Sequence, residues 1–337
     1  MEAATGTAEE AERSESRSLK ELAGQNPAAV TLGIVLALAL VLVLTEGLHD
    51  TAQTSLNGLS YGTVYALGAV GLTLVYGILK LVNFAHGDFL TFGAYAAFVI
   101  NVTWGLPFVV GVLAAVVTTA LLGLALERLM WRPMRKTGAG LLQLLLMSIG
   151  LALVIRNVIQ MLAGSELKSL DVDVFSTVNF LGLRIGETEL IVVVVGIVVL
   201  VAVGLMLRFT TLGKQMRALS DNLDLAETSG IDTGRVITYT WLLAGGLAGL
   251  AGALIAGITS VKPELGFELL LPIFAVVVLG GIGNAFGALS AGIILGLVIE
   301  WSTLIIDARW KLAIGFVILI VVLVIRPQGI FGKARSV

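Results

Sequence analysis

Few residues of this chain could do chemistry, and most of those lie in apolar surroundings. The densest group is Asn83-Phe84-Ala85-His86-Gly87-Asp88. Arg156, Asn157 and Gln160 form a second group, Asn284 follows a glycine run, and Glu300 ends a long apolar stretch. Ionisable groups at membrane depth are costly and often mark a transport pathway. Two readings of the first group stand side by side. Asn83 or Asp88 can satisfy free amides at the start of a helix near His86. Alternatively the cluster lines a gate. Arg156 either snorkels to the membrane surface or faces a pore. Glu300 fits a helix end near the outer surface.

Catalytic patterns are missing. There is no cysteine, and the two histidines, His49 and His86, are too few and too far apart for a metal site. Gly213-Lys214 and Gly332-Lys333 lack the spacing and the following Ser or Thr of a Walker A loop, and no His-Glu-x-x-His pair occurs. Gly58-Leu59-Ser60-Tyr61-Gly62 matches the hydrolase elbow pattern. That pattern works only on a strand-to-helix turn. Here it falls inside an apolar helix, where Gly58 and Gly62 suit close helix packing. The run Gly280-Gly281-Ile282-Gly283-Asn284-Ala285-Phe286-Gly287 has one residue too many for a dinucleotide loop and reads as a broken membrane helix.

The elements that must position these groups follow from composition. The 337 residues are 57% hydrophobic and only 13% charged, with mean hydropathy +1.00. Soluble domains carry about 25% charged residues, so lipid is the solvent that this composition fits. The 40 glycines against 6 prolines suit helices packed closely in a bilayer. A net charge of -2 gives no sign of nucleic-acid binding.

A bilayer is spanned by about twenty apolar residues in a helix. That length predicts segments at 28–45, 56–79, 84–102, 106–129, 141–163, 190–207, 236–258, 269–281, 286–299 and 312–325. The expected class is an all-α polytopic membrane protein with about ten (eight to ten) transmembrane or re-entrant helices. The third segment starts on the polar cluster and is expected to cross only partly. The eighth and ninth are short and glycine-broken, and fit a re-entrant pair. The expected division is an acidic cytoplasmic tail over 1–27, a transmembrane domain over 28–326 with a cytoplasmic loop at 208–235, and a short tail over 327–337.

Positive charge orients the ladder. With the N-terminus inside, fifteen Lys and Arg fall on inner segments and five (Lys168, Arg184, Lys262, Arg309, Lys311) on outer ones. Both termini are then cytoplasmic, which needs an even number of crossings. The outer loop 164–189 is acidic and alternates Val, Phe and Leu, as a short helix or strand pair would. On the inner loop, Met216, Leu219, Leu223 and Ala226 recur at helical spacing. Two short helices bent at Asp221-Asn222 would expose that stripe to a partner; the alternative is a helix lying flat on the membrane.

Three stretches together resemble the LivH-type permeases of ABC importers for branched-chain amino acids. They are Tyr76 to Asp88 with Gly93-Ala94-Tyr95; Arg217-Ala218, Asp221-Asn222, Ala226 and Gly230-Ile231; and Gly280 to Asn284 with Gly287-Ala288 and the apolar run to Glu300. The resemblance implies the ABC importer permease fold and a subunit without enzymatic activity or cofactor. It further implies a second homologous permease, two cytoplasmic ABC ATPases, an extracytoplasmic solute-binding protein and membrane lipid as partners. The ATPases would dock on Met216, Arg217, Ala218, Leu219, Asn222, Ala226, Gly230 and Ile231. Pathway or gate residues would come from Asn83, His86, Asp88, Arg156 and Asn284. The cargo implied is branched-chain or similar hydrophobic amino acids, with urea or short amides as the alternative. The alternative from another class is an ion-coupled secondary transporter with Asp88, Arg156 or Glu300 as its coupling group; a membrane-embedded enzyme is disfavoured by the shortage of catalytic constellations.

Overall fold

The apolar runs form helices. The computed structural model describes residues 27–173, 176–180, 182–325 and 329. The tails expected over 1–27 and 327–337 lie outside these residues, apart from Pro27 and Gly329. By itself, α1 (Pro27–Thr45) is a 19-residue apolar helix. The other unit runs from His49 onward. It contains α2 (Leu48–Leu79), α3 (His86–Phe98), α4 (Phe108–Leu126), α5 (Arg132–Lys136), α6 (Leu141–Ala163), α7 (Glu187–Phe209), α8 (Thr211–Asp221), α9 (Leu223–Thr228), α10 (Thr233–Ile258), α11 (Leu265–Gly280), α12 (Ala285–Ser302) and α13 (Lys311–Ile325).

Among the described residues, six helices are long and apolar enough to cross a membrane: α2, α4 with its extension to Lys136, α6, α7, α10 and α12. The remaining expected segments are present as α1, α3, α11 and α13. α3 has 13 residues, about 20 Å at 1.5 Å per residue, which is short of a ~30 Å hydrocarbon core. A π-helical turn at Val99–Thr103 extends it. The outer loop resolves into the strand-pair option: β1 (Thr177–Phe180) pairs antiparallel with β2 (Leu183–Gly186).

Breaks fall where the local chemistry stops a helix. Lys80 takes a left-handed φ of 53° after α2, a conformation that ends helices. Asn222 is extended and caps α9 by accepting from Leu225 N–H at 3.0 Å. Gly230, at φ 85°, stops α9. Gly281 and Gly283 are also left-handed, and Asn284 caps α12 by accepting from Gly287 N–H at 3.1 Å.

Packing runs through small residues. A Cβ added at Gly58 would meet Leu297 Cα at 2.8 Å, one at Gly62 would meet Ile293 Cα at 3.0 Å, and one at Gly292 would meet Ala66 Cα at 2.6 Å. α2 and α12 therefore touch backbone to backbone, as small-residue spacing allows. The Ser60 hydroxyl between Gly58 and Gly62 is turned back onto Leu56 O at 3.2 Å. Glycines at 245 and 249 of α10 do the same for α4, and Gly93 of α3 meets Gly249.

Candidate functional site

The chain between α2 and α3 is non-helical and buried, so its polar groups need partners inside the protein. Asn83 Oδ1 accepts from Ala85 N–H at 3.1 Å, and Asn83 O accepts from His86 N–H at 3.2 Å. Ser148 of α6 supplies further partners, while the buried Asn83 Nδ2 has none among the described residues. Its hydroxyl accepts from Phe84 N–H at 3.2 Å and donates to Leu145 O at 2.7 Å, with Val82 O at 3.3 Å. Asn83 thus stabilises the turn before α3. No side chain caps α3 itself, because Ala85 holds the cap position. As expected, Asn83 satisfies a free amide at the start of α3, that of Ala85, while the Asp88 carboxylate faces a partner on another helix.

That partner is Arg156. Its Nε donates to Asp88 Oδ1 at 3.1 Å and its Nη2 to Asp88 Oδ2 at 3.3 Å. The pair joins residues 68 positions apart. Arg156 lies fifteen residues after Leu141, the first residue of α6, or about 22 Å along the helix at 1.5 Å per residue. It does not snorkel to a surface; it is turned inward, with its guanidinium carbon 4.6 Å from the centre of the Phe267 ring. The Asp88 side chain is 1% exposed and that of Arg156 17%. Two charges removed from water need each other, since either alone would be uncompensated.

His86 lies two residues before Asp88 on α3. Its Nε2–H donates to Gly68 O at 2.9 Å, because a carbonyl can only accept. A Cβ at Gly71 would come within 3.1 Å of the ring, so α2 leaves a glycine notch for it. His86 therefore pins α3 to α2. Gly87 lies against Gly266, whose N–H donates to Thr91 Oγ1 at 2.9 Å. Asn284 lies apart from this group. It borders a cavity of about 100 Å³ shared with Thr73, Gly77, Met216, Ser220 and Phe286. Glu300 lies in the last turn of α12, as expected, but is buried, and Lys311 Nζ holds both its oxygens, at 2.7 and 2.9 Å.

The inner loop forms the expected two helices bent at Asn222, yet the stripe is on the other side. Met216, Leu219 and Ala226 are buried within the chain. An apolar stripe beside apolar helices packs on them first, which the periodicity alone could not decide. Arg217 donates to Leu207 O, and Lys80 Nζ reaches Gly77 O at 2.7 Å and Ser220 O at 3.1 Å. The elbow is thereby tied to the end of α2. Its exposed face holds Arg217, Asn222, Gly230 and Leu225, the last 63% exposed, while Ala218 and Ile231 are half-buried. Leu225 is the large apolar residue exposed on this face that the stripe does not include. Its signal was an apolar side chain out of phase with the buried stripe.

Residues 54–323 match the model of a family described as the branched-chain amino acid transport system permease component. The high-affinity branched-chain amino acid permease protein LivH of Salmonella typhimurium is 32% identical over 83% of this chain and 95% of its own. BraD of Pseudomonas aeruginosa, named for the same transport role, is 31% identical over 85% and 97%. LivM of Escherichia coli is 25% identical over 90% of this chain and 74% of its own. No solved structure matches. The matched region contains the α2–α3 break, the Asp88–Arg156 pair and the elbow; the chain is a polytopic membrane protein and belongs to this family of transport permease components, which are not enzymes.

Proposed function

We propose that this chain is the membrane-spanning subunit of an ATP-driven importer for branched-chain or similar hydrophobic amino acids. The observation that carries the reading is the family match over 54–323 joined with LivH-named relatives covered almost end to end. The chain has no ATP loop of its own. It has instead a two-helix elbow whose outer face, with Arg217, Asn222, Leu225 and Gly230, is open to a partner. Two ATPases dock there, and the similarity to LivM supports a second, related permease as the other half of the pathway. A solute-binding protein delivers cargo on the opposite side, at the β1–β2 face. The excess of Lys and Arg on one set of segments supports both termini and the elbow lying in the cytoplasm, with the chain in an inner or plasma membrane. Ten crossings or partial crossings, α1 to α4, α6, α7 and α10 to α13, fit that even count. The Asp88–Arg156 pair belongs to the pathway or its gate, with Asn83 and His86 holding the helices around it and Asn284 contributing from its separate cavity. An ion-coupled mechanism is disfavoured, because Asp88 and Glu300 are each already paired with a cation.

Uptake of labelled leucine in cells with and without this chain tests the reading. Loss of leucine uptake on deletion is expected. Unchanged leucine, urea and short-amide uptake would overturn it.

A further inference from the structure

We infer that the Asp88–Arg156 pair is an exchangeable site for a zwitterion. The α-carboxylate of a transported amino acid takes over Arg156 while its α-ammonium takes Asp88. This rests on the import reading above and adds a binding step inside the permease.

Four observations converge. First, Asp88 engages only Nε and Nη2 of Arg156; among the described residues Nη1 has no hydrogen-bond partner. The guanidinium thus keeps a spare donor. Second, the pair is closed on the Asp88 side and open on the Arg156 side, at 1% against 17% exposure. Third, the open flank carries two amides among exposed apolar side chains such as Val154 and Val158. Asn157 and Gln160 are exposed beside Arg156 on an otherwise apolar stretch of α6, and Phe267, 48% exposed, covers the guanidinium. The Asn157 amide donates to Leu153 O at 2.7 Å, and Gln160 lies three residues from the end of α6. Fourth, an apolar groove of about 380 Å³ begins one helical turn away on both helices. Phe92, four residues after Asp88, and Ile159, three after Arg156, line it. So does Tyr95, whose hydroxyl is buried and has no hydrogen-bond partner among the described residues.

The chemistry selects the ligand. A neutral zwitterion meeting a neutral ion pair leaves two ion pairs and no uncompensated charge. A lone carboxylate or a lone amine would leave one buried charge without a partner, which is far less favourable. The apolar groove beside the pair takes the apolar side chain. The site therefore favours amino acids with hydrophobic side chains over either half of the same molecule.

The test uses the assembled importer in detergent without its binding protein. Retention of labelled leucine, isovalerate (carboxylate only) and isoamylamine (ammonium only) is measured by equilibrium dialysis. The wild type is expected to hold leucine over isovalerate by about tenfold, the scale of one charge-assisted contact. Asp88→Asn keeps an acceptor for Arg156 but leaves the cation unbalanced, so the preference should reverse toward isovalerate. Gln160→Leu and Phe267→Ala, outside the pair, should each weaken leucine retention several-fold with assembly intact. A wild type without leucine preference overturns the inference. So does an assembled Asp88→Asn complex with unchanged ranking. If Asp88→Asn does not assemble, unchanged retention in both flank variants overturns it. A wild type that also fails to take up leucine overturns the import reading beneath it; one that takes up leucine overturns this inference alone.

Discussion

Two helix seams in this protein are held by opposite means. The α2–α12 seam is backbone against backbone, at Gly58, Gly62 and Ala66 against Gly292 and Leu297. The α3–α6 seam is held by the Asp88–Arg156 pair and by Ser148 against the non-helical chain before α3. Packed glycine contacts have one geometry and resist deformation. An ion pair with a spare donor can exchange partners. On the proposed function, the first seam is the rigid one and the second the one that can change.

Either seam can be disrupted separately. Asp88→Ala should have the largest effect. It leaves Arg156 without its carboxylate, a loss on the scale of about 3–5 kcal/mol for a broken buried pair, moderated here by the partial exposure of Arg156. A thermal unfolding midpoint unchanged from wild type would contradict this. Gly292→Val comes next. Its added carbons would collide with Ala66, whose Cα would lie only 2.6 Å from the new Cβ. Overpacking of this kind costs about 1–3 kcal/mol, and the yield of folded protein should fall while leucine affinity in the surviving fraction stays the same. A changed affinity would mean that the first seam is not merely rigid.

A third pair of variants separates the two faces of the elbow. Leu225→Asp, on the exposed face, should reduce co-purification of the ATPases without lowering the melting temperature. Ala226→Arg, one residue on, is buried and should lower both. Equal effects of the two on melting would remove the distinction between faces. The smallest effect is expected at Asp307, in the turn between α12 and α13. The backbone N–H of Arg309, and then its guanidinium, hold the Asp307 carboxyl below the usual carboxylate range. A depressed value means that its contribution is present above the unfolded pKa and fades as pH falls through the folded one, below about pH 4. Asp307→Asn should therefore alter melting slightly near neutrality and not at all in acid. Being fully exposed, the pair is screened by solvent.

Much of the helical order could be read from apolar run length. The segment expected at 141–163 coincides with α6, and those at 236–258 and 312–325 differ only at their starts. The bend at Asn222 was also legible, because a capping residue interrupts a helical pattern. The α2–α12 contact was foreshadowed by Gly58 and Gly62. What one-dimensional spacing could not give was which face turns inward. Met216, Leu219 and Ala226 were expected outward and are buried, since neighbouring helices offer apolar surface first. Arg156 fitted snorkelling as well as burial until its partner, 68 residues away, was known. Such pairings depend on which helices become neighbours, and helix spacing says nothing of that.

The central claim is that this chain conducts amino acids only as part of an ATP-driven assembly. It is tested most directly by labelled leucine uptake into proteoliposomes holding this permease, its partner permease and the ATPases, with binding protein on the outside and ATP within. Uptake should require ATP and this chain, and should persist when ion gradients are collapsed. Uptake that survives ATP removal but stops with the gradient would contradict the claim.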